Sequence, residues 1–135
     1  MLTCNFWNTD FTDFKYAQIF TDFMYKHQDL TDKIIKSFYD VYNNLGYGFL
    51  EKVYQNALFF ELKSNGLFVE AQKKLFVKYK GQIVGEYFPD LIVNEKIILE
   101  LKAAECIIPE FEAQLVNYLK ATDIEVGLLL NFGKK

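Results

Sequence analysis

The sequence predicts one α/β domain in which helices cover both faces of a central sheet. Helical periodicity across 30–45 and again across 48–62 places two helices first. Runs rich in Val, Ile, Leu and Phe follow between Gly66 and Ala103, separated by turn signals. A third helical stretch opened by Pro109, then the apolar run "IEVGLLLNF", complete the order. With helices on both sides of the strands in the sequence, charges inside those strands need a reason.

Residues 1–23, "MLTCNFWNTDFTDFKYAQIFTDF", are dense in aromatic side chains and broken by Thr-Asp turn chemistry. They are set apart as an N-terminal extension, leaving a domain over 24–135. The alternative is an arm docked on an apolar surface of the domain or of a second copy. After Met24, Thr31 or Asp32 can cap a helix whose apolar residues are Ile34, Ile35, Phe38, Val41, Tyr42 and Leu45. Gly46 stops it. A second helix is expected from near Gly48 through Val53, Tyr54, Ala57, Leu58 and Leu62 to Asn65-Gly66.

The strand-like runs are "GLFVE", "KLFVKYK", "QIVGEYFPDLIV" after a turn at Lys80-Gly81, and "KIILELKA". Lys74, Lys78 and Lys80 alternate along one face, which reads first as a solvated edge guarded against aggregation and second as a guide for a phosphate backbone. "NEK" between the last two runs reads as a three-residue hairpin loop. That loop sets Val93 against Ile97, Ile92 against Ile98, and Asp90 against Glu100. Asp90, Ile92, Ile98, Glu100 and Lys102 then share one face, and Leu91, Val93, Ile97, Leu99 and Leu101 the other. Two carboxylates facing each other repel, and a divalent cation between them would turn the repulsion into the purpose of the site. The bland reading is a turn aspartate and an exposed Glu-Lys pair of little energetic weight.

Composition narrows the function. The chain has 135 residues, 51% hydrophobic and 24% charged, an ordinary balance for a single core. No apolar run approaches the roughly 20 residues of a membrane helix, and the N-terminus lacks the pattern of a secretory signal. Cys4 and Cys106 are isolated and His27 is the single histidine, which argues against a zinc site and a disulfide framework. Cys106 is expected as a thiol without a base, and the cytoplasm is the expected compartment. A formal charge of −3 and a pI of about 5.2 imply weak intrinsic grip on nucleic acid, aided by a local basic patch or a partner.

"GFLEKVY" gives Gly48, Glu51 and Tyr54 as G-x-x-E-x-x-Y, and "QLVNY" gives Gln114 and Tyr118 at i and i+4. With "GFLEKVYQNAL", "PDLIV", "ELKA", "EAQLVNYLKAT" and "GLLLNFG", the chain from about Leu30 to Gly133 resembles the GxxExxY family of the PD-(D/E)XK nuclease-like superfamily. The resemblance implies a restriction-endonuclease-like α-β-β-β-α-β core with an extra N-terminal helix and a mixed central sheet flanked by helices. It implies that Asp90 and Glu100 bind a metal, joined by Glu51 and the Leu101 main-chain carbonyl. Lys102 matches the lysine that positions or helps deprotonate the attacking water. Gln114 and Tyr118 match a pair that supports the site and can touch the substrate backbone, and Tyr54 supports it from the core.

The implied function is a metal-dependent nuclease using Mg²⁺ or Mn²⁺, with DNA the favoured substrate and cleavage of RNA or a nucleotide as a separate, third reading. The alternative is a nuclease-fold binding or regulatory module, weakly active or inactive, acting through a homodimer, a protein partner or nucleic acid.

Overall fold

The computed structural model describes residues 17–21 and 27–134. In chain order these form β1 (Ala17–Thr21), α1 (Gln28–Leu45), α2 (Glu51–Ser64), β2 (Val69–Ala71), β3 (Leu75–Tyr79) and β4 (Gln82–Tyr87). They continue as β5 (Leu91–Val93), β6 (Ile97–Lys102), α3 (Pro109–Ala121) and β7 (Val126–Asn131). Five strands make one sheet in the order β1-β7-β6-β5-β2. Among the described strands only β6 and β7 run parallel, with α3 as the crossover that a parallel pair requires. The expected mixed α/β fold with helices on both faces is present.

Alternation along β5 and β6 divides the core. Leu91, Val93, Ile97, Leu99 and Leu101 pack with Ile34 and Phe38 of α1 and Leu58 and Leu62 of α2. Ile92 and Ile98 face the other way, toward Leu115 of α3 and Tyr87 of β4. Every residue of β7 is buried, as expected for a strand covered on both faces.

Several sequence expectations shift. Helix α1 starts at Gln28, before the proposed caps; Thr31 is buried, and its N–H donates to the His27 carbonyl at 2.9 Å. Helix α2 starts at Glu51, because Gly48 has φ +109, which no helical residue adopts. "QIVGEYFPDLIV" is two strands, since Pro89 lacks the N–H that a continuous ladder needs. Strands β3 and β4 pair with each other in a separate two-stranded sheet, an arm outside the main one. The regular lysine alternation is interrupted by a register shift between Val77 and Lys78. Strand β1, unforeseen in the sequence, pairs antiparallel with β7 from Ala17↔Leu130 to Thr21↔Val126. Cys106 is disulfide-bonded, against its expectation as a thiol; Cys4 lies outside the described residues.

Candidate active site

The β5–β6 hairpin has the register that a three-residue loop dictates. Leu91 faces Leu99, Ile92 faces Ile98 and Val93 faces Ile97. Asn94 and Glu95 hold the loop with φ of 51 and 57, the left-handed region that Asn tolerates well. Asn94 also ties the hairpin to the chain before β2, exchanging hydrogen bonds with the Phe68 main chain at 2.7 and 2.9 Å.

One step beyond the ladder, Asp90 comes beside Glu100. The Asp90 N–H donates to Glu100 Oε1 at 3.4 Å, and Asp90 Oδ2 accepts the Leu101 N–H at 2.8 Å. Lys102, on the same strand face as Glu100, holds its Nζ 4.4 Å from the centroid of the Phe111 ring of α3. A cation over an aromatic face is attracted by the ring quadrupole, so α3 restrains the ammonium. Asp90, Glu100 and Lys102 are each partly exposed, which leaves the face open to a ligand.

Burial is the largest influence on Glu100 and pushes its carboxyl up to about 7, reinforced by the Asp90 charge. Hydrogen bonds from Tyr87 and the Asp90 main chain, and the Lys102 charge, oppose the shift. Tyr87 donates its phenol to Glu100 Oε1. Burial first, and the Glu100 charge second, push the Tyr87 phenol upward, so it stays a protonated donor. Its ring stacks parallel on Tyr118 at 3.6 Å between centroids. Tyr118 therefore reaches the acids through Tyr87, whereas Gln114 stands exposed on α3.

Glu51 arrives from the opposite face of the sheet. It is exposed at the first position of α2, and its Oε1 accepts the Ala103 N–H at 3.4 Å, one residue past the end of β6. The G-x-x-E-x-x-Y spacing explains how it is placed. Gly48 turns the α1–α2 loop with its positive φ, and the buried Tyr54 donates to the Gly46 carbonyl at 2.6 Å. The same phenol oxygen accepts the Phe49 N–H at 3.2 Å, and the ring stacks on Phe132 at 4.3 Å. Tyr54 is thus a core residue whose hydroxyl fixes the loop that presents Glu51.

Three further residues were not singled out in the sequence. Asn131 is buried and exchanges hydrogen bonds with the Ala104 N–H at 3.1 Å and carbonyl at 3.0 Å, pinning the turn after β6. Tyr87 and Gln72 touch Glu100 and Asp90 respectively. Tyr87 reads in sequence as one more inward aromatic, Gln72 as a polar loop residue and Asn131 as the end of an apolar strand. None carries a local signal of its partner.

Among the described residues, no three His, Cys, Asp or Glu side chains gather closely enough to hold a metal ion. Asp90 and Glu100 form a pair, and Glu51 stands at the end of the same strand without joining them. The chemistry of that pair, two hard oxygen donors whose mutual repulsion a bound ion would offset, suits a cation such as Mg²⁺ that keeps several of its own waters. Among the described residues no helix is long and apolar enough to cross a membrane.

A family model described as the PD-(D/E)XK nuclease superfamily matches residues 28–135. No curated protein and no solved structure matches the chain.

Proposed function

The chain belongs to the PD-(D/E)XK nuclease superfamily, and from that premise we propose that it is a metal-dependent nuclease hydrolysing phosphodiester bonds, with DNA the favoured substrate. The reading rests above all on Asp90 and Glu100 lying side by side on the hairpin, with Lys102 two residues further along the same face. Asp90 and Glu100 would hold Mg²⁺ or Mn²⁺, with Glu51 and the Leu101 carbonyl as the further contacts the family resemblance suggests. When bound, such an ion supplies a Lewis acid that acidifies water and offsets charge on the phosphate. Lys102 positions the attacking water and balances charge at the phosphate, its ammonium held in place by Phe111. Tyr118 supports Glu100 through Tyr87, and Tyr54 holds the loop that presents Glu51. Gln114, exposed one turn before Tyr118, is free to touch the substrate backbone.

The acidic chain has few means of gripping a polyanion tightly, so nucleic acid binds weakly without a protein partner or a second copy. The decisive experiment is a Mn²⁺-supplemented cleavage panel of single-stranded, duplex and branched DNA and of RNA. Wild type is expected to cut at least one DNA substrate, and Lys102→Ala and Glu100→Ala to cut none while keeping their circular dichroism. Cleavage unchanged in both variants would discard the assignment.

One observation favours a second reading, a nuclease-fold binding module with negligible hydrolysis. Glu51 is engaged by the Ala103 N–H and does not join the other two acids. Isothermal titration with Mn²⁺ separates the readings: a nuclease loses binding on Asp90→Asn, and a metal-free module shows none to lose.

A further inference from the structure

The β3–β4 arm is not hydrogen-bonded into the main sheet, yet both of its ends stop on a site carboxylate. At its start, Gln72 directly follows β2 in the left-handed region, with φ 52. Its N–H donates to the Asp90 carbonyl at 3.2 Å, and its Nε2 approaches Asp90 Oδ1 at 3.3 Å. That Nε2 also lies 3.4 Å from Oε1 of Gln55, which is buried on α2. At the arm's end, Tyr87 is the last residue of β4 and donates to Glu100 Oε1. Between the two anchors, Leu75 and Val77 pack the arm against the cluster of Leu115, Phe111 and Tyr118 from α3.

We propose that Gln72 and Tyr87 are the positioning residues of the metal site, so that the arm clamps Asp90 from one end and Glu100 from the other. The inference rests on the nuclease reading above and adds to it a function for a segment with no ladder to the main sheet. Two neighbouring carboxylates repel and swing apart unless each is tied down. Asp90 is held through one oxygen by Leu101 and through the other by Gln72, while Glu100 is held by Tyr87. Neither Gln72 nor Tyr87 ligates the ion; each orients a group that does. Hydrogen-bond partners of this kind are worth about 10–100-fold in metal affinity.

The test is Mn²⁺ titration of the full chain by isothermal calorimetry, comparing wild type, Gln72→Met, Tyr87→Phe and Glu100→Gln. Gln72→Met keeps the length of the side chain and removes its donor; Tyr87→Phe keeps the ring on Tyr118 and removes only the hydroxyl. Each is expected to weaken Mn²⁺ binding about tenfold or more, with circular dichroism unchanged. Wild-type affinity in both, or a loss at one end alone, overturns the two-ended clamp. Gln72 is exposed, so Gln72→Met leaves the core intact; should Tyr87→Phe not fold, wild-type affinity in Gln72→Met still overturns the clamp and a tenfold loss supports its Gln72 end. If wild type and Glu100→Gln bind Mn²⁺ equally, or neither binds, the metal reading itself fails. That result is distinct from wild-type binding that merely ignores Gln72 and Tyr87.

Discussion

Glu100 is the residue where burial, a like charge and a hydrogen-bond donor meet. Its carboxyl, pushed from an ordinary 4.5 up to about 7, retains a proton in the folded chain that the unfolded chain has already lost. Stability of the ion-free protein therefore falls as pH rises through that window, by up to about 3 kcal/mol at 1.36 kcal/mol per unit. Melting temperatures in EDTA are expected to drop between pH 5 and pH 8 for wild type and to drop less for Glu100→Gln. Equal pH profiles for the two proteins would mean that Glu100 is not desolvated. Binding a cation requires the ionised form, so Mn²⁺ affinity should climb with pH up to about 7 and level off above it. Calorimetric titration at pH 6, 7 and 8 checks the slope. The pairing of Asp90 with Glu100 was legible because a three-residue loop leaves the hairpin one register. The donors on these acids were not legible, since Tyr87 meets Glu100 by folding back across a proline and Gln72 meets Asp90 through a left-handed backbone.

At the scale of elements, two turns deliver the charged groups to one end of β6. The α1–α2 loop is tied by the Tyr54 hydroxyl, which both donates to Gly46 and accepts from Phe49. Tyr54→Phe keeps the ring on Phe132 and removes both bonds, an expected loss of about 1–2 kcal/mol in urea unfolding. Because Glu51 opens the helix that this loop leads into, cleavage should fall in the same variant by more than its unfolded fraction explains. The turn after β6 is tied by Asn131 and by the close approach of Gly133 to Ala104. A Cβ on Gly133 would lie 1.8 Å from the Ala104 carbonyl oxygen, so Gly133→Ala must move backbone. It should destabilise by about 3 kcal/mol, also read by urea unfolding. The motif spacing showed where Gly48, Glu51 and Tyr54 stand along the chain. Their division of labour was hidden, because Gly48 reads as a helix start until its φ is known. The "NFG" clamp was hidden too, since a buried asparagine ending an apolar strand signals no particular partner.

For the whole molecule, the open matter is how the sheet ends. Strand β7 supplies six buried residues and is flanked by β6 on one side and β1 on the other. Without residues 1–23, the five-residue pairing from Ala17 to Thr21 is lost and β7 becomes an apolar edge with unpaired backbone groups. A chain of 24–135 is therefore expected to melt below the full chain and to elute as a larger species on size exclusion, as exposed edges recruit one another. An identical melting temperature and an unchanged elution volume would show the segment to be dispensable. The sheet order also predicts what such a truncation leaves alone. Two strands, β7 and β6, separate β1 from the hairpin partner that carries Asp90, and the carboxylates are held by β5, β6 and the arm rather than by the N-terminal strand. Mn²⁺ affinity of the folded fraction should then match the full chain even where its stability does not. A parallel loss of affinity would mean that β7 transmits strain from the sheet edge to β6, its parallel neighbour through Leu101↔Leu130 and Lys102↔Asn131.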